Sequence, residues 1–315
     1  MARPTFERRT FTIEPDGIIE TFINAKYMPI SAVLTDDSAL RIEYYTSQDY
    51  PCDVREEDGI VSLEYTQNQN SSIFDGLVNM FVSALNGINW KQMPVCIYVP
   101  RMYTGMLNLC TGCANISVQG MELRNRLHAQ TTNSQIELRG VIATAFMLST
   151  TNAKIYAENA AATGDEESIA KPSSVSCSIS STNGAIELHG FSALGSMECH
   201  TSNGGIKMYD AAIQGALNCT TSNAAITLQN VSVQECAWIS TVNGAIKPER
   251  LLARDISLTS TNAPIKGSIV GRPTDFSIDT KTTNGKCNPS TAKFDTGRTL
   301  TAKTTNGNIA LDFVE

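Results

Sequence analysis

Apolar and polar residues alternate with a period of two through most of this chain, in short runs. From Leu107 onward the runs fall into a repeat. TTNSQIEL, TTNAKIYA, STNGAIEL, TSNGGIKM, TSNAAITL, TVNGAIKP, STNAPIKG, TTNGKCNP and TTNGNIAL follow one another along the sequence. They place an asparagine at Asn133, Asn152, Asn183, Asn203, Asn223, Asn243, Asn262, Asn284 and Asn306, in steps of 19, 31, 20, 20, 20, 19, 22 and 22 residues. A degenerate copy, CTGCANISV, puts Cys113 in the asparagine slot 20 residues before Asn133.

The columns around that slot are ordered. Two residues before it stands Thr or Ser in every copy, from Thr111 and Thr131 to Thr282 and Thr304. Four and six before it the residues are mostly apolar, such as Leu107, Leu109, Leu127, Ala129, Phe146 and Leu148. Three after it the residue is Ile in every copy except Cys287. Five after it Val118, Leu138, Leu188, Met208, Leu228 and Leu311 are apolar, whereas Pro248, Gly267 and Pro289 break the column. Alternation on both sides of a turn marks strands with one buried face. Each unit therefore predicts strand, corner, strand, connection. Asparagine suits the corner because it tolerates left-handed backbone and bonds its own backbone nearby.

Asn-Gly between alternating strands is also a hairpin signal, which would give an antiparallel array. Three features favour parallel stacking instead. A propeller blade needs about 40 residues, twice this period. The same residue type recurs in each column, as like-on-like stacking requires. Several corners lack glycine (Asn152-Ala153, Asn223-Ala224, Asn262-Ala263). The expected fold is all-β: a right-handed parallel β-helix of about ten coils of roughly 20 residues. Residues 101–315 form the repeats. Residues 1–100 form a β-rich segment continuous with them, carrying a short helix at Ile73 to Leu85 that caps the open end. The 31-residue step carries an acidic, loop-like insertion around Ala160 to Ser173. The far end, Asn306 to Glu315, shows no cap, so self-association through a solenoid end or sheet edge is expected.

Composition narrows the function. Hydrophobic residues make up 42% of the 315, charged residues 17% and aromatics 7%, and the net charge is −7. An acidic chain is a poor match for nucleic acid, whose binding needs a basic surface. No stretch reaches the roughly 18 apolar residues of a membrane span. No secretory signal is visible, and nine cysteines, an odd number, suit a reducing compartment. These two features favour the cytoplasm.

Candidate chemistry is sparse. Cys110 and Cys113 form C-x-x-C, but without a strand-to-helix context or a second pair at zinc spacing. Cys177, Cys199, Cys219 and Cys287 stand in apolar columns and read as small buried hydrophobes. Cys199 and Cys219 should stack in adjacent coils as thiols. His128, His189 and His200 lack metal-ligand spacing. Glu137, Glu158, Glu187, Lys207, Tyr209, Lys247 and Lys266 are scattered outward positions of a solvated face. The rank that includes Thr132, Thr151 and Thr182 reflects the preference of Thr for exposed sheet. No catalytic, cofactor or metal residue is expected. The asparagine column is expected to be a structural ladder, its amides bonded coil to coil.

The T/S-x-N-G/A-x-I-x-L unit resembles the bacterial "putative adhesin" domain of unknown function, an adhesin-like β-solenoid family with a β-rich N-terminal segment. The resemblance runs from roughly residue 10 to the end. It implies attachment at a cell surface and brings no catalytic motif. The chain departs from it at Ile73 to Leu85, at Ala160 to Ser173, and in showing no signal segment. The expected function is a non-enzymatic, adhesin-like binding or scaffold protein with an unknown protein or glycan ligand. The competing class is a polysaccharide lyase or glycosidase-like enzyme, since such enzymes also use parallel β-helices.

Overall fold

The inward columns become two long, parallel-rich sheets. The structure is a computed structural model describing residues 5–65, 88–164 and 175–315. Among these residues there is no α-helix, and two 3₁₀ turns occur at Trp90–Gln92 and Pro273–Asp275. The helix expected at Ile73 to Leu85 lies outside the described residues. The chain forms two compact units, Met1–Val141 and Ile142–Glu315.

In the second unit, the strands that precede the asparagine corners pair in parallel at the repeat spacing. Ser196–Thr201, Leu217–Thr221, Cys236–Thr241 and Asp255–Ser260 are successive neighbours. The strands that follow the corners, Ile186–His189, Ile206–Tyr209, Ile226–Gln229 and Ile246–Glu249, do the same. Ile186, Ile206, Ile226 and Ile246 are thereby aligned, and all are fully buried. Like residues stack because a parallel register carries each side chain onto its own column.

What the sequence reading left as a connection is also structured. Seven residues after the corner stands a residue with positive φ: Gly120, Gly140, Asn159, Gly190, Asp210, Asn230 and Arg250. This second corner turns the chain into two-residue strands, Ser192–Ala193, Ala212–Ile213 and Ser232–Val233, which pair in parallel. Eight and ten residues after the asparagine slot, Phe191 and Ala193, Ala211 and Ile213, and Val231 and Val233 are buried. These coils thus have a third inward wall. Ala160 and Ala162 occupy these columns, so the expected insertion does not begin there. Residues 165–174 lie outside the described set.

Stacking order departs from chain order at one end of each unit. In the second unit, Thr299–Thr304 sits between Asp255–Ser260 and Ser277–Thr282. Likewise Ile309–Val314 pairs with both Ile265–Val270 and Cys287–Asn288. The coil that is last in sequence is therefore enclosed, and the preceding one lies outside it. In the first unit, Glu20–Asn24 sits between Ile60–Tyr65 and Met106–Thr111. Ile30–Thr35 similarly pairs with Val95–Pro100 and Ile116–Glu122. Antiparallel strands finish both sheets here: Cys52–Glu57 on Ile60–Tyr65, and Glu7–Ile13 on Leu40–Thr46. Asp53, Arg55, Glu56 and Glu57 on one edge, and Glu7, Arg8 and Arg9 on the other, discourage further strand addition.

Candidate functional site

The asparagine column forms a chain of side-chain hydrogen bonds. Asn183 Nδ2 donates to Asn152 Oδ1 at 2.6 Å, Asn203 to Asn183 at 2.7 Å, and Asn223 to Asn203 at 2.7 Å. Asn243 donates to Asn223 and Asn262 to Asn243, both at 2.8 Å. Asn306 then donates to Asn262, and Asn284 to Asn306, both at 2.7 Å. In the first unit Asn133 Nδ2 donates to Cys113 Sγ at 3.5 Å.

The corner geometry differs from the sequence expectation. None of these asparagines has positive φ. The turn is held from inside by the Thr or Ser two residues earlier. Thr201 Oγ1 donates to Gly184 O at 3.2 Å and accepts from the Gly204 N–H at 3.1 Å. Thr241 repeats this with Ala224 O and the Gly244 N–H, and Ser260 with Gly244 O and the Ala263 N–H. One buried hydroxyl satisfies both a donor of its own corner and an acceptor of the neighbouring one. The glycine after the asparagine serves close approach rather than left-handed backbone. A Cβ at Gly204 would overlap Gly184 O, and one at Gly244 would overlap Ala224 O.

Outside the corners, the second unit brings together outward residues that look scattered in sequence. Lys154 Nζ lies 2.7 Å from Glu187 Oε2, and His189 Nε2 lies 2.9 Å from Glu187 Oε1. The hydrogen bond from Lys154 holds the Glu187 carboxyl below the usual carboxylate range, against partial burial. The His189 ring stacks on Tyr209, centroids 4.6 Å apart and planes 21° apart, with Tyr156 tilted on its other side at 5.5 Å. The two faces of the imidazole are thus occupied by protein, and Glu187 is committed to ion pairs. This cluster offers edges rather than an open platform.

The other sheet of this unit carries a different arrangement. Trp238 is 50% exposed. Its register partners are Asn218 and Ser257, and Ser240 points the same way two residues on. These register neighbours are short, and half of Trp238 stays exposed to solvent. Beside it, Asp255 accepts from Arg254 Nε at 2.9 Å, from Thr299 Oγ1 at 2.7 Å and from Cys236 Sγ at 3.6 Å. Burial works against the Asp255 carboxylate, but these bonds outweigh it and hold its pKa down. On the same face His200 Nδ1 lies 2.8 Å from Thr220 Oγ1.

The remaining residues singled out from sequence are dispersed. His128 is half-buried, and desolvation lowers its pKa against the pull of Glu20. Cys110 Sγ contacts Asn108 Oδ1 at 3.4 Å. Cys199 and Cys219 are register partners, both buried and unbridged. The hydrogen bond with Cys219, together with burial, pushes the Cys199 thiol well up. Among the described residues no three His, Cys, Asp or Glu side chains converge as a metal site. Among them, too, no helix is long and apolar enough to cross a membrane.

A family model described as Toastrack DUF4097 matches residues 20–315. The chain belongs to the Toastrack DUF4097 family. Three solved structures resemble this Toastrack chain along nearly its whole length. One is a "putative cell adhesion protein" from Clostridium sporogenes, 9% identical, with a TM-score of 0.21, covering 99% of this chain and 100% of that one. Another is a "putative adhesin" from Bacteroides fragilis, 11% identical, with a TM-score of 0.32 and coverage of 98% and 97%. The third is a "putative lipid binding protein" from Parabacteroides distasonis, 13% identical, with a TM-score of 0.30 and coverage of 98% and 97%. No curated protein matches the chain.

The Trp238 face is the feature of this Toastrack domain that sequence reading passed over. Its signal was an aromatic residue in an outward column whose neighbouring members, Asn218 and Ser257, are polar.

Proposed function

We propose that the chain is a non-enzymatic, adhesin-like binding protein that contacts a glycan through the open sheet face around Trp238. In this reading the parallel stack is a right-handed β-helix of about ten repeat coils, extended by the strands of residues 1–100. The asparagine column is its structural ladder and not a ligand groove. The observation carrying the proposal is a half-exposed indole on a flat face of hydroxyl and amide side chains. A pyranose ring lays its C–H face on an indole and exchanges hydrogen bonds with polar groups around it. Trp238 supplies the first interaction, and Asn218, Ser240 and Ser257 the second. Aromatic anchors of this kind dominate recognition surfaces because they bury much area at little conformational cost. The ion pairing of Glu187 is a further support, since a carboxylate held low by Lys154 is poorly suited to donate a proton in glycoside cleavage.

The test is a glycan array with the native protein and Trp238→Ala. Glycan binding that falls at least tenfold in Trp238→Ala is expected, with the unfolding midpoint unchanged. Native binding that survives the substitution refutes the assignment of the face. Release of reducing ends from a bound polysaccharide refutes the non-enzymatic reading.

A further inference from the structure

The first unit contains a concave site. A cavity of about 500 Å³ is lined by Tyr27, Pro29, Ile88, Trp90, Lys91 and Cys113, and also by Asn89 and the corner residues Ala114, Asn115 and Ser134. This volume lies in the range of small-molecule sites, roughly 300–1,000 Å³. We propose that this cavity binds a planar aromatic molecule carrying one anionic group.

The shape argument comes from the rings. Trp90 and Tyr27 meet with centroids 5.8 Å apart and planes at 38°. Trp90 is braced from outside the cavity by Tyr50, edge-on at 5.0 Å and 85°, and by Phe6, at 5.4 Å and 75°. Three aromatic side chains thus fix the indole before any ligand arrives, and preorganisation of this kind removes an entropic cost of binding. Pro29, Ile88 and Ala114 add apolar wall. An aromatic wall of this kind favours a flat ring laid against it over a flexible alkyl chain. Trp90 Nε1 is enclosed and has no acceptor among the described residues.

The charge argument comes from Lys91. It contributes the cationic side chain of the lining, is exposed, and forms no ion pair among the described residues. Among the described residues that line the cavity there is no Asp or Glu. The position along the repeat is also telling. Cys113 occupies the asparagine slot, and Asn133 donates to its sulfur. The cavity therefore opens at a corner where a thiol stands in place of an amide, and that thiol reports on occupancy.

Two readouts test the proposal on the full chain: the rate of Cys113 alkylation by iodoacetamide, followed by peptide mass spectrometry, and titration calorimetry, which does not depend on the thiol. The probes are 2-naphthoate, its neutral isostere 2-naphthamide, and octanoate. The expected result is saturable, one-to-one binding of 2-naphthoate that slows Cys113 alkylation. The amide should bind about three- to fivefold more weakly, the scale of a solvent-exposed ion pair. Lys91→Ala, at an exposed position, should bring acid and amide to equal affinity. Absence of saturable 2-naphthoate binding by calorimetry overturns the proposal. Equal affinity of acid and amide in the native protein overturns the anionic requirement. Octanoate binding more tightly than 2-naphthoate overturns the planar-ring assignment.

Discussion

Replacing Thr201 by Val tests whether buried hydroxyls, rather than corner asparagines, hold the turns. Thr201 is fully buried, and Val reproduces its shape while removing the oxygen. Two partners are then stranded, the Gly204 N–H at 3.1 Å and the Gly184 carbonyl at 3.2 Å, both on buried residues. A buried polar group left without a partner costs about 1–3 kcal/mol. Because the corner relaxes in part, the expected loss is about 2–4 kcal/mol. Thr201→Ser keeps the oxygen and gives up a methyl group, which costs about 1 kcal/mol. Ser202→Ala, one residue outward, should cost less than about 0.5 kcal/mol. Guanidinium unfolding, compared by midpoint at constant slope, should rank the variants Ser202→Ala, Thr201→Ser, Thr201→Val in increasing damage. A Thr201→Val protein as stable as Thr201→Ser would refute the corner assignment, because volume alone predicts the reverse order.

Three further outcomes follow from the same geometry. Asn223→Ala removes one donated and one accepted amide bond at an exposed position and should cost about 1 kcal/mol in the same unfolding assay, well short of the Thr201→Val loss. Gly204→Ala, whose Cβ would overlap Gly184 O, should cost about 3 kcal/mol or more, whereas Gly140→Ala has open space and only the strain of its φ of 59°, worth about 1–2 kcal/mol. Glu187 has a lowered pKa in the folded state, so its contribution to stability is complete above its ordinary value of 4.5 and disappears as pH falls through the depressed one. Glu187→Gln should therefore flatten the acid limb of thermal stability measured between pH 6 and pH 3, leaving the neutral limb with a constant offset.

The repeat was legible because parallel stacking writes itself into sequence as columns. Leu127, Ala129 and Thr131 announce an inward face by alternation alone. The physical cause of the corner was harder to read. Asparagine is a left-handed residue often enough to suggest that role at Asn203, yet φ is set by the whole turn, and the left-handed position falls at Asp210. The Gly, Asn, Asp or Arg that fills that column shares a backbone state and not a chemistry, so no residue type marks it. The third wall went unseen because Phe191, Ala211 and Val231 share only their apolarity, and strands of two residues carry too little alternation to detect. The candidate surface was invisible for another reason. Trp238 acquires its meaning from Asn218 and Ser257, neighbours 20 and 19 residues away, and that proximity exists only after the coils have stacked.

The enclosed coil at residues 299–314 sets a timetable for synthesis. In a stack whose coils follow chain order, each new turn can dock as it leaves the ribosome, because its template has already been made. Here Ser277–Thr282 emerges before Thr299–Thr304, the strand on which it rests. A nascent chain can therefore complete its array only as far as Val270 and must hold the next segment undocked until the following one has been translated and slotted in. Ending the stack this way couples the last two coils: neither is fully paired without the other, and loss of residues 299–314 would release both. The order of docking at that end is thus the reverse of the order of synthesis.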